Sequence, residues 1–172
     1  KKILKIRKKK KFNKSKINFT NIWSFIKKKK IKGRILGGYY PYNFEFNVMD
    51  ILEKFENKNF LILLPKIKQK FHMDFYEWST NDPLMINRFG IPEPVSNKIR
   101  YPDILLVPLV AFDKDFNRIG YGGGFYDRYI NDLKKRKKIL TIGLAYSFQQ
   151  VKKIPISKYD MKLDFIITNK HN

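Results

Sequence analysis

Four glycines in five positions, Gly120, Gly122, Gly123 and Gly124, stand between an apolar run at 104–107 and an amphipathic stretch that opens at Phe125. No other feature restricts the fold as much. The segment 102–130, PDILLVPLVAFDKDFNRIGYGGGFYDRYI, reads as strand, loop, glycine cluster and helix, with Phe125, Tyr126, Tyr129, Ile130 and Leu133 on the apolar face of the helix. Glycines let backbone N–H groups come close to a ligand, and a helix start adds unpaired donors and a positive dipole end. A phosphate is the natural guest. Arg118 precedes the cluster and Asp127 falls in the first helical turn, so a cation for phosphate oxygens and a carboxylate for Mg²⁺ flank the same cradle. The cluster lacks the Lys and Ser/Thr of a P-loop and the distant acid of a dinucleotide fingerprint. The plain alternative is a tight turn followed by an exposed helix-start acid.

The rest of the chain alternates strand-like and helix-like patterns. Apolar residues between 17 and 31 recur at helical spacing among Asn and Lys, which predicts a basic amphipathic helix. A first strand is expected at 34–40, stopped by Pro41, and a helix at 47–55 with Asn47 as its N-cap. The continuous apolar run 60–64 predicts a strand buried on both faces, and 70–78 a wetter one. Residues 81–102 hold four of the eight prolines and predict a long irregular connection. Further strands are expected at 104–107, 140–145 and 165–168, with a helix at 125–137. This order predicts an α/β fold: a single layered domain over residues 1–172, with a mainly parallel sheet flanked by helices and a Lys-rich N-terminal helical segment over about 1–32.

Charge raises a competing function. The 172 residues carry a formal +22, and residues 1–38 hold 16 of the 37 Lys and Arg with no acid, the profile of a segment that neutralises phosphates on a nucleic acid. Thirty of the bases are Lys, however, Ile and Asn abound and Ala occurs twice. A biased coding composition accounts for that pattern, and the scarcity of Arg, the usual base reader, argues against a nucleic-acid partner. Cysteine is absent, so disulfides and thiolate metal sites are excluded. No apolar stretch is long enough to cross a bilayer, so a cytoplasmic protein with no membrane partner is expected.

Together, VPLVAFD, RIGYGGGFYDR and the later IGLAY with Gln149 resemble the signature of the 5-formyltetrahydrofolate cyclo-ligases, also called methenyltetrahydrofolate synthetases. YYPYNFE at 39–45, Leu64 with Pro65, Met73 with Phe75 and Trp78, GIPEP and YDMKLDFIIT are similar to that family in the same order. The resemblance implies closure of the N5-formyl group of 5-formyltetrahydrofolate onto N10, driven by ATP with Mg²⁺, giving 5,10-methenyltetrahydrofolate, ADP and phosphate. Through the motif it implies that Arg118, Ile119, Gly120, Tyr121, Gly122, Gly123, Gly124, Phe125 and Tyr126 wrap ATP, with Arg118 and Tyr126 catalytic. Tyr121 to Phe125 would also touch the folate, beside Tyr40, Glu45 and Trp78. Asp127 and Asp160 would bind the metal, with Asp164 as rival to Asp160. The family's start, whose Lys and Arg reach ATP, is matched by KKILK, which gives those places to Lys1 and Lys5; Tyr159 stands where many relatives carry His. A monomer acting on small molecules is the expectation.

Overall fold

In a computed structural model, which describes residues 2–9 and 17–170, the apolar runs become neighbouring strands. The basic N-terminal region forms helices α1 (Lys2–Lys9) and α2 (Phe19–Lys28). Asn18 caps α2 by accepting the N–H of Thr20 at 2.9 Å, and Ile22 and Ile26 bury its inner face. Strand β1 (Ile35–Gly37) is followed by α3 (Met49–Glu56), where the Asn47 side chain accepts the N–H of Met49 at 3.0 Å. Then come β2 (Leu61–Ile67), a 3₁₀ turn (Gln69–Phe71), β3 (Met73–Glu77), β4 (Leu84–Ile86), β5 (Pro92–Pro94) and β6 (Ile104–Val107). Two short strands, β7 (Ala111–Phe112) and β8 (Arg118–Ile119), lead to α4 (Phe125–Arg136), and β9 (Leu140–Ala145) and β10 (Phe165–Thr168) complete the fold.

Six strands form one sheet in the order β10-β9-β6-β1-β2-β3, parallel throughout except for the edge pair β2/β3. Burial on both faces explains why these strands lack alternation. Leu36, Ile62, Leu64, Ile104, Leu106 and Ile142 point into a core shared with Ile22, Ile26, Leu52 and Phe55 of α2 and α3. Leu63, Leu105, Val107 and Ile166 point the other way, onto Tyr129, Ile130 and Leu133 of α4. Helices thus cover both faces of a mainly parallel sheet, as the alternating pattern implied.

Segment 81–102 is more ordered than its prolines suggested. It holds the antiparallel hairpin β4/β5, with Pro92 opposite Ile86 and Pro94 opposite Leu84. Two prolines spaced by two place their missing N–H groups on one edge of the strand, where no ladder bond is needed. Glu93, between them, is buried and accepts the N–H of Ile67 at 2.7 Å and the Asn87 amide at 2.6 Å, which fastens the hairpin to β2.

Asp164 has a structural duty. Its Oδ2 accepts both the backbone N–H and the hydroxyl of Thr141, each at 2.7 Å, and locks the start of β10 to β9. Asp164→Ala strands those two donors and is expected to lower the unfolding free energy by about 1–3 kcal/mol in urea melts. A change below ~0.5 kcal/mol would show that the pairing of β9 and β10 does not need this carboxylate.

Candidate active site

Strand β1 has β2 on one side and β6 on the other, so the chain winds in opposite directions from β1 and leaves a crevice at the carboxyl ends of β1 and β6. A cleft of about 580 Å³ opens there. Tyr39, Tyr40, Tyr42 and Glu45 enter it from the segment after β1, Pro65 and Ile67 from β2, and Pro108 and Leu109 from the segment after β6. The glycine loop and the first turn of α4 form its far wall, and Asp160 reaches the rim.

Within the loop, the left-handed positions are Gly122 (φ 91°) and Gly124 (φ 63°), the latter being the N-cap of α4. Gly123 between them matters for another reason: a Cβ there would lie 2.6 Å from the Phe125 ring. Arg128 braces the loop from behind. It donates to the carbonyl of Gly123 and, at 3.1 Å, to that of Phe71. This contact fixes the turn just before the start of α4, where a helix has unpaired N–H groups.

Arg118 and Asp127 meet. Arg118 Nη1 donates to Asp127 Oδ1 at 2.8 Å, with the two side chains 5% and 20% exposed, and the same oxygen accepts the N–H of Met161 at 2.9 Å. Asp127 is therefore a half-buried tie between α4 and the 155–163 segment, not the exposed helix-start acid of the plain reading. Arg118 owes its place to Asp113, whose buried carboxylate accepts the N–H groups of Asp115, Asn117 and Ile154 and the Asn117 amide. Burial pushes the Asp113 carboxyl up, but these donors, Asn117 foremost, outweigh it and hold the group below the usual carboxylate range. Asp160 is exposed at the rim, where its Oδ2 accepts the N–H of Ser157 at 2.6 Å.

A second guanidinium lies behind the lining residues Tyr42, Leu109 and Tyr121. Arg7, from α1, is 1% exposed and donates to the carbonyls of Leu109 (3.3 Å), Tyr42 (3.4 Å) and Asn43, and to the hydroxyl of Tyr121 at 2.7 Å. Glu45 lies nearby and accepts the N–H of Tyr42 at 3.0 Å. Burial pushes its carboxyl up to about 7, against the pull of the Tyr42 N–H and the Arg7 charge. Burial and then Glu45 raise the Tyr126 hydroxyl far above its ordinary value, so this phenol stays protonated and acts as a neutral hydrogen-bonding group.

Most residues expected from sequence converge here: Tyr40, Glu45, the run 118–127 and Asp160 all line one cleft. Others do not. Trp78 is buried in the core behind β2, and its indole N–H donates to the Asp82 carbonyl at 3.3 Å. Asp164 is spent on Thr141. Lys5 is exposed on α1, while Lys1 lies outside the described residues. The base of α1 that touches residues lining the cleft is Arg7, two residues beyond Lys5, which the sequence pattern did not single out. The signal was present: Arg7 is the only Arg among the sixteen bases of 1–38 besides Arg34.

An anion cradle at the switch point of a parallel sheet, beside a largely apolar cleft with two buried arginines, defines an α/β protein built to hold a phosphate next to an organic substrate. The model of the 5-formyltetrahydrofolate cyclo-ligase family matches residues 8–169, and the chain belongs to that family of ATP-dependent ligases. It is 35% identical over 132 residues to a 5-formyltetrahydrofolate cyclo-ligase of Haemophilus influenzae, covering 73% of this chain and 70% of that protein. A solved 5,10-methenyltetrahydrofolate synthetase of Aquifex aeolicus superimposes with a TM-score of 0.76 at 29% identity, over 99% of this chain and 87% of that one. One from Mycoplasma pneumoniae gives 0.75 at 26% identity, over 98% and 95%.

The raised value of Glu45 has a stability consequence. Between the ordinary carboxyl value of 4.5 and about 7 the folded chain keeps a proton that the unfolded chain has lost, so this group's contribution to stability falls as pH rises through that window. Glu45→Gln mimics the protonated form. Relative to the parent, the variant is expected to gain on the order of 2 kcal/mol between pH 5 and pH 8 in urea melts. A pH-independent difference would contradict the buried, proton-holding carboxyl.

Proposed function

We propose that the cleft binds 5-formyltetrahydrofolate with its N5-formyl oxygen toward the glycine loop, and that MgATP phosphorylates that oxygen before N10 attacks the same carbon. A formamide oxygen is a poor leaving group. Transfer of the γ-phosphoryl group to it releases ADP and makes it one; N10 forms the new C–N bond, its proton is lost to solvent, and phosphate departs with the former formyl oxygen. The observation that carries this reading is that the glycine loop, Arg118, Asp127 and Asp160 line one cleft together with Tyr40 and Glu45.

Each residue has a role that its surroundings support. The N–H groups of 120–126 and the guanidinium of Arg118 stabilise charge on the phosphoryl group in transfer, a reaction that asks chiefly for positioning and preorganised donors. Arg7, through the Tyr121 hydroxyl, sets the other side of the loop. Tyr126 stays neutral and donates a hydrogen bond, and Glu45 and Tyr40 orient the pterin. The donor set at the loop fits Mg²⁺, which is commonly held by one or two carboxylates together with phosphate oxygens: Asp127 and Asp160 line the same cleft, and each has one oxygen that takes no hydrogen bond among the described residues. The ion would neutralise phosphate charge and align the oxygens for transfer. We take the protein to act as a monomer and the 172 residues as one cyclo-ligase domain working on small molecules in the cytoplasm. No helix among the described residues is long and apolar enough to cross a membrane.

Mixing the protein with 5-formyltetrahydrofolate and MgATP is expected to raise the absorbance band of the methenyl product; a flat trace, or one indifferent to ATP, would overturn the reading. Gly123→Val drives a side chain into Phe125 and moves the loop donors. It is expected to cut turnover at least a hundredfold, the order of loss for one preorganised oxyanion donor, while the melting temperature moves by only a few degrees. Full activity in that variant would remove the loop from the chemistry.

A further inference from the structure

A second groove, of about 550 Å³, continues from the main cleft past Ile67, which lines both. Its walls are Lys68 just after β2, Gln69 in the 3₁₀ turn, His72 beyond the turn, and Arg88 at the tip of the β4/β5 hairpin. Two cations thus converge from separate elements. The acids close to them are already engaged: Asp74 pairs with Lys68 at 2.6 Å, and Glu93 is spent on Ile67 and Asn87. Arg88 has no ion-pair partner among the described residues and rests its guanidinium 4.9 Å from the centre of the Phe89 ring. Phe89, Met73, Ile67 and Ile91 line the passage between this groove and the glycine loop.

Resting on the cyclo-ligase reading, the charge pattern assigns an address to the far end of the substrate. 5-Formyltetrahydrofolate is a pterin, an aminobenzoyl ring and a glutamate with two carboxylates. With the formyl group at the glycine loop, the apolar passage suits the aminobenzoyl ring, and the only anions the molecule can still offer are those of the glutamate. We propose that Arg88 binds the glutamate carboxylates of the folate and makes this groove the tail subsite. Arg suits the task, since its planar fork can take a carboxylate with two parallel hydrogen bonds.

The test compares 5-formyltetrahydrofolate with 5-formyltetrahydropteroate, which lacks only the glutamate. With the parent protein, the tail-less compound is expected to show a KM higher by roughly two- to fivefold, the range for exposed charge pairs. Arg88→Ala should bring the two KM values together, and Arg88→Lys should restore part of the gap. A gap unchanged in Arg88→Ala, or a KM raised equally for both compounds, would overturn the proposal. Equilibrium dialysis of the two radiolabelled compounds without ATP reads the same ratio in the absence of turnover. Loss of product formation with the ratio intact would therefore count against the ligase reading alone, and loss of the ratio with turnover intact would count against the subsite alone.

Discussion

A buried guanidinium with carbonyl partners is the constraint around which the functional edge is arranged. Arg7 donates to the segments that follow β1 and β6 and to the glycine loop through Tyr121, so one side chain from α1 sets the distance between three walls of the cleft. Taking a cation out of water costs several kcal/mol unless its donors are satisfied. Here backbone oxygens accept those bonds, while the Nε has no partner among the described residues. The field of this charge also reaches Glu45, where it opposes the effect of burial on the carboxyl. The N-terminal helix is thus part of the site as well as a carrier of surface lysines.

The second guanidinium works in the opposite manner. Arg118 is neutralised locally by Asp127, and that pair is itself tied to the backbone at Met161. Under the proposed function, a phosphate arriving at the loop would meet a cation whose counter-charge is a carboxylate of the kind that holds a divalent ion. The apolar remainder of the cleft lowers the local dielectric and strengthens both interactions.

Much of this was legible in the sequence because it rests on local patterns. The strands 140–145 and 165–168 and the helix at 125 follow from apolar runs and spacing, and the glycine loop from its own composition. What remained hidden depends on contacts between segments far apart in the chain. Nothing near Arg7 in sequence shows that it faces Tyr121, 114 residues away, whereas a matched motif gave its place to Lys5. Trp78 falls in an alternating stretch of sequence, but it lies just past β3, where its backbone N–H donates to the carbonyl of Ile62 at 2.9 Å and its ring joins the core. Asp160 and Asp164 lie in one motif, and the hydroxyl of Thr141 separates them by claiming Asp164. The prolines at 92 and 94 concealed a hairpin because their effect depends on which edge of the strand they occupy.

The central claim is that the formyl oxygen becomes a phosphate ester at the glycine loop and leaves as phosphate. The most direct measurement is the fate of that atom. With 5-formyltetrahydrofolate labelled with ¹⁸O in the formyl group, a single turnover with MgATP should place the label in inorganic phosphate, one atom for each methenyl product formed. Label recovered in water, with unlabelled phosphate, would contradict the account and show that ATP is cleaved without activating the formyl oxygen.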